Sequence, residues 1–366
     1  MILGRNFLAW GSPVLLIMAT LSSSACSRRD YTQPDAGNGG TPGNDDGEGG
    51  GGTTSSNTGP SIVSVSPEDG ETGVAADAVI VITFSEAMDK AATQAAYGST
   101  NDAIKASEVT FAWNSGGTEL TVTPNAPLPY KLVTDPSAAP DEFGFSIGTA
   151  AKSKDGDELG EAFSATFRTL KRVTQTIQQS MDPEAEDAPE SGAISYGEDS
   201  TNYAIEATKV VVGCGGGTGL AMYRGFWAYD LSGVPENITL ESAHLDLLLV
   251  SDNAFTLNDN WTKLASLRIA PVSYAPPLLA SANYYDVPIS GGLVVEQTDF
   301  DCSTTSCTGP VDETAAIQAA VADRIASENR AQFGTKATTA TTDLNCDASG
   351  ARLHLSGPLV LEYTVE

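Results

Sequence analysis

The sequence predicts an all-β protein of two β-sandwich domains, the second with one short helix, behind a signal segment and a flexible linker. Three observations carry this reading. Apolar residues alternate with polar ones in short runs from residue 61 to the C-terminus. Pro, Gly, Asn and Asp separate those runs at turn positions. Between residues 170 and 194 the alternation gives way to a polar, acidic stretch around two prolines, which divides the β-rich part in two.

The chain has 366 residues, enough for two cores, and 19 basic against 47 acidic side chains give a net charge of −28. Such a surface repels phosphate backbones and argues against a nucleic-acid partner. It would attract divalent cations, although acidity usually serves solubility.

Residues 1–26 read as a targeting segment. Arg5 is the only charge before the apolar stretch Phe7 to Leu21, which meets the small residues "SSSAC" ending at Cys26. The stretch is too short and too poorly flanked for a spanning helix. It resembles a bacterial lipoprotein signal, which implies a diacylated Cys26 as mature N-terminus. The alternative is an ordinary secretory signal cleaved after Ala25. Either reading exports the chain. The lipoprotein reading places it at the outer membrane or cell surface, held there by lipid alone.

Residues 27–60 contain "DAGNGGTPGNDDGEGGGGTTSSNTGP", which lacks the apolar surface to fold. A flexible tether of this length spans roughly 30 Å root-mean-square. Its acidic "NDDGEG" lacks calcium-loop spacing.

Residues 61–170 form the first domain. "SIVSVSP", "AVIVITFS", "VTFAW", "ELTVTP", "FGFSIG" and "FSATFRT" alternate as strands. Phe84, Phe111, Trp113, Phe163 and Phe167 are its expected core, each contributing about 1.5–3 kcal/mol on burial. The order "SVSPEDGETGV", "ITFSEAMD", "ELTVTP" and "DGDELGEAFSATFRT" resembles the bacterial immunoglobulin-like domain of S-layer and other surface proteins. That resemblance implies a spacer without catalysis. "LVTDPSAAPDEFGFSIG" is longer than the family's strand and suggests an insertion or irregular edge. Residues 171–194 are then the connection to a second domain.

The second domain, 195–366, opens with a test of function. In "VVVGCGGGTGLAMYRGFWAYDLSGVP" the glycines follow a strand, as in a phosphate-binding loop. Gly213, Gly215 and Gly217 lack the fingerprint spacing, however, and Thr218 stands where its third glycine belongs. The aromatic, alternating run that follows is a strand rather than a helix. The glycines therefore serve backbone turning beside Cys214. "RGFWAYDLSGVPENITLESAHLDLLLV", "VDETAAIQAAVADRIAS" and "GARLHLSGPLVLEYTVE" resemble DNRLRE-type, carbohydrate-binding-like jelly-roll domains. The resemblance implies a β-sandwich and departs from the family through long loops at 251–300. A helix is expected over 312–326, capped by Asp312 or Thr314, with Ile317, Val321 and Ile325 along one side.

Cys214, Cys302, Cys307 and Cys346 form an even set in an oxidising setting, so disulfides are expected. Four cysteines allow three pairings. The favoured one is Cys302–Cys307 with Cys214–Cys346, since zinc would prefer close C-x-x-C pairs.

No catalytic residues are assigned, and the chain reads as a non-enzyme. His244 and His354 lie on alternating strands, and the G-x-S-x-G nucleophile turn is absent. Asn237 and Asn260 match glycosylation sequons by coincidence. No cofactor is required. Calcium is the one ion considered, at Asp230, whose plainer role is to accept turn amides, and at Asp199 and Asn202. The expected function is attachment, recognition or spacing at a surface, with a glycan or a matrix protein as partner. The alternative is a polysaccharide hydrolase with a carboxylate pair in the second domain.

Overall fold

The structure, a computed structural model, describes residues 59–181, 189–197, 203–215, 221–251, 256–323, 327–338 and 350–366. From Asn57 onward the chain is one unit with two main hydrophobic cores. It is all-β, with short helices between strands. The signal segment with Cys26, and the linker up to Thr58, lie outside the described residues.

The first core is enclosed by β1 (Ile62–Ser66), β2 (Glu71–Val74), β3 (Ile80–Phe84), β4 (Tyr97–Ser99) and β5 (Val109–Trp113). Then follow β6 (Glu119–Pro124), β7 (Lys131–Val133), β8 (Glu142–Ile147) and β9 (Phe163–Thr169). One sheet runs β1-β3-β6-β5 and faces a second that runs β2-β9-β8-β4. Alternation dictates this packing: β3 buries Ile80, Ile82 and Phe84 while Val81 and Thr83 point away. A short helix, α1 (Lys90–Ala95), starts where the Asp89 carboxylate accepts from the Ala92 amide at 2.9 Å. Phe84 and Phe167 are buried as expected, whereas Phe111, Trp113 and Phe163 are half-buried and pack at the margin. Phe143 and Phe145 of β8 supply the rest of the centre, Phe143 stacked 5.4 Å from Phe167.

The predicted irregular edge, residues 132–148, divides in two. β8 is a central strand of the first sandwich, and β7 leaves it to pair in parallel with β10 (Lys171–Ile177). β10 corrects the reading of 171–194 as pure connection. It pairs with the last strand over seven positions, from Lys171↔Val365 to Ile177↔Leu359, and its Val173 is fully buried in the second core. Thr174 and Thr176 stay exposed, so the segment reads as polar although it is a strand. The chain therefore crosses between sandwiches at Leu170, whose amide donates to the Val74 carbonyl. Lys171 Nζ donates to the Glu366 carbonyl at the same seam.

The second domain continues with β11 (Gly192–Gly197), β12 (Tyr203–Glu206), β13 (Val210–Cys214), β14 (Ala221–Asp230) and β15 (Thr239–Ser251). The region expected as long loops instead carries α2 (Leu257–Leu264), β16 (Leu267–Pro271), α3 (Ala282–Tyr285) and β17 (Leu293–Val295). It reads as loop because the strands are short and separated by prolines, yet Leu267 and Ile269 are completely buried. The chain ends with β18 (Asp301–Cys302), β19 (Ser306–Asp312), α4 (Thr314–Ala322), β20 (Arg330–Ala337), β21 (Ala351–Ser356) and β22 (Leu359–Val365). These strands join in the order β17-β16-β20-β14-β13-β21-β15-β22-β10-β7, with β11, β12, β18 and β19 attached beside that path. The path folds over on itself, so that Trp227 and Phe333 from one part meet Leu247, Leu353 and Leu361 from the other in one core.

Candidate functional site

The described part of the glycine run closes a strand contact. Gly213 adopts φ +128°, and a Cβ there would lie 2.0 Å from the Ala351 carbonyl oxygen on β21. Gly215 is at φ +127°, with Gly350 Cα 2.5 Å from its would-be Cβ. Only a residue without a side chain allows this approach. Gly217 and Thr218 lie outside the described residues.

Beyond that turn, β14 points successive side chains to opposite faces. Trp227 and Tyr229 enter the main core, while Phe226 joins Ile194, Ala270, Tyr274, Leu278, Tyr285 and Ile289 in a third apolar cluster on the other face. The segment after β16 folds back to build this cluster, with Tyr274 donating from its hydroxyl to the Glu190 carbonyl at 2.8 Å. Burial and the neighbouring Glu190 push the Tyr274 phenol far up.

At the margin of the cluster three tyrosines meet. The ring of Tyr196 lies 5.0 Å from Tyr203 and 5.4 Å from Tyr285, and Tyr203 lies 5.8 Å from Tyr285. Tyr196 and Tyr203 are half-buried. The Arg224 guanidinium sits 4.2 Å over the Tyr285 ring and donates to the Tyr285 carbonyl. Burial raises the Tyr285 phenol against the opposing pull of Arg224, and burial with the Asp286 charge raises that of Tyr203. Next to Arg224, Lys336 is held below the ordinary lysine range by burial and by the charges of Arg224 and Arg268. Arg268 donates to the Gly291 carbonyl at 2.6 Å. The arrangement offers aromatic faces and three cations at one end of a sheet, a chemistry suited to binding.

A cleft of about 490 Å³ lies between α4, β20 and the turn at 271–275. Ala316, Ala319, Ala320 and Phe333 supply its apolar wall, and Asp323, Glu328 and Arg330 its charged rim. Arg330 is clasped by two carboxylates, Glu190 at 2.8 Å and Glu328 at 3.3 Å. That geometry holds the loop ends together through a shared guanidinium.

Asp230 ends β14 exposed, and its carboxylate accepts from the Ser232 amide at 2.8 Å, which is the turn-forming role. Asp199 and Asn202 lie outside the described residues. Among the described residues no three His, Cys, Asp or Glu side chains stand together as metal ligands. His244 lies half-buried on β15 with Nε2 3.3 Å from Asp246 Oδ1. His354 lies on β21. Asn260 is fully buried in α2, its amide donating to Ser251 Oγ at 2.8 Å and its oxygen accepting from the Arg352 amide. Asn237 stands in the turn before β15.

Cys302 and Cys307 are bonded, facing each other across the β18–β19 hairpin. Cys214 is itself half of a disulfide, and Cys346 lies outside the described residues. The helix is shorter than expected. It begins at Thr314 because Asp312 accepts from the Thr314 amide at 2.9 Å and from its hydroxyl at 2.7 Å, and it ends at Ala322. Ile317 is buried and Val321 packs against the core, while Ile325 lies outside the described residues. Glu313, just before the helix, was missed in the sequence: it is 6 % exposed and its Oε1 is buried without a partner. Desolvation, with the Asp312 charge adding to it, pushes its carboxyl up to about 7. The tyrosine cluster was missed as well. Its only sequence signal is the pair of segments "SYGEDSTNY" and "ANYYD", far apart in the chain.

No described helix is long and apolar enough to cross a membrane. No curated protein matches the chain. Among solved structures, an L,D-transpeptidase from Mycobacterium smegmatis is 12% identical with a TM-score of 0.22, over 52% of this chain and 64% of that one. The N-terminal part of the bacterial S-layer protein SbsC is 14% identical with a TM-score of 0.21, over 48% of this chain and 41% of that one. A structure described as being with xylogluco-oligosaccharide is 9% identical with a TM-score of 0.19, over 84% of this chain and 58% of that one. The chain thus spans less than two thirds of each, and superpositions this loose carry no functional argument. The first sandwich is a different matter: residues 56–169 match the family model of the bacterial Ig-like domain.

Proposed function

We propose that the chain is an exported surface lipoprotein whose Ig-like domain acts as a spacer and whose second sandwich recognises a glycan or a surface protein, without catalysis of its own. The observation that carries this reading is the cluster of Tyr196, Tyr203 and Tyr285 beside Arg224. Half-buried aromatic rings with a fixed cation are the elements of a recognition face. The Ig-like match supports the spacer role. The targeting segment and the linker suit a lipid anchor at Cys26 that lifts both domains from a membrane. The net charge of −28 argues against nucleic acid.

The test is retention of the full chain on a panel of insoluble polysaccharides, with release of reducing ends measured in parallel. Retention without release is expected. Release would move the chain to the hydrolases, and the cleft rim would become the place to look. Anchoring is tested separately: labelled palmitate should enter the wild type and not Cys26→Ser.

A further inference from the structure

A line of positive charge crosses the outer face beside the tyrosine cluster. Lys336 on β20 is the register partner of Arg268 on β16. On its other side Arg224 of β14 follows the pair Gly225↔Thr335, and both arginines act electrostatically on Lys336. Neighbouring strands lie about 4.8 Å apart, so the three cations stand in a row across about 10 Å. Like charges directly opposite each other on a sheet destabilise it. Among the described residues none of the three makes an ion pair, although the chain has 47 acidic side chains to offer. The arginines are instead fixed by donation to the carbonyls of Tyr285 and Gly291, which positions their charge and leaves it uncompensated. The carboxylate that acts on this region, Asp286, lies on the side of Tyr203 and Tyr285. All three cations are half-exposed.

We propose that this row and the adjoining tyrosines bind an acidic polysaccharide, with uronate carboxylates on Arg224, Lys336 and Arg268 and a sugar ring against Tyr196 or Tyr203. The proposal rests on the recognition reading above and names its ligand class. Charge complementarity selects an anion, because elsewhere the strongly acidic surface would repel it. The flat rings beside the cations select a sugar, whose C–H face packs on an aromatic ring while its carboxylate meets a guanidinium. Strand spacing places the cations at intervals comparable to one sugar residue.

The experiment is calorimetry of the full chain with oligogalacturonate and with a neutral cello-oligosaccharide of equal length. Oligogalacturonate should bind with an affinity that falls as salt is raised, and the neutral oligomer should not. Arg268→Gln/Lys336→Gln should weaken binding by roughly tenfold or more without lowering the melting temperature, since it also relieves the repulsion between the two facing cations. Lys336→Arg should retain it. Unweakened binding by the double variant overturns the proposal. So does equal binding of inorganic polyphosphate, which would mean charge alone, or of phosphatidylglycerol vesicles, which would mean a lipid surface. Retention of neutral glycans without oligogalacturonate binding overturns the proposal and leaves the recognition reading standing. If no glycan of either kind binds, the proposal falls, and with it the glycan half of the recognition reading, leaving a surface protein as the partner.

Discussion

Glu313 shows how one residue can oppose the structure that holds it. Its carboxyl is raised to about 7 in the folded state, against about 4.3 for an unperturbed glutamate. The folded form therefore prefers the proton. The stability this gives is present below pH 4, and is lost as pH rises through 7, because folding then requires burial of a charge with an unpartnered oxygen. Glu313→Gln should stabilise the protein at pH 8 by up to about 2–3 kcal/mol and change little at pH 4, which denaturant titration at the two pH values measures. Gly213 works in the opposite sense. Gly213→Ala must place a methyl group against the Ala351 carbonyl in a left-handed backbone, so it should cost well over 1 kcal/mol, read as a lowered thermal midpoint. The glycine's role was legible in the sequence once the phosphate fingerprint failed. Glu313 was not, because its isolation depends on packing between β15 and α4.

Among elements, the β18–β19 hairpin and β10 mark the two ends of legibility. The Cys302–Cys307 bond was expected from a short spacing in a chain read as exported, and the hairpin register places the two cysteines opposite each other. Its six-residue loop is small, so Cys302→Ser should lower stability by about 2 kcal/mol. Peptide mapping of the non-reduced protein should recover the 302–307 link and join Cys214 to Cys346. β10 was read as connection because its exposed face carries Arg172, Thr174 and Thr176 and the acidic stretch follows at once. A strand against a sandwich edge shows one polar face, and a window averaged across both faces loses it. The structure adds a test. A fragment of residues 171–366 should melt cooperatively, while 190–366, without the seven-residue pairing to β22, should be much less stable or aggregate. Equal melting of the two fragments would remove β10 from the domain's core.

For the molecule as a whole, the two sandwiches were legible because each strand announces itself locally. The proposed recognition face was not, because its tyrosines and cations come from β11, β12, β14, β16, β20 and α3, and only the fold brings them together. The crossing at Leu170 adds a mechanical consequence. If the chain is anchored and holds a ligand as proposed, it is pulled at both ends. The first sandwich sends β7 across to lie parallel to β10, with Lys131, Leu132 and Val133 matched to Lys171, Arg172 and Val173. Drawing the domains apart along that strand direction would load these bonds together, in shear, instead of opening them one by one like a zip. The joint is then a clamp that resists tension better than a one-residue connection would. Under single-molecule stretching, a variant with residues 131–139 replaced by a glycine–serine loop should let the domains separate at lower force.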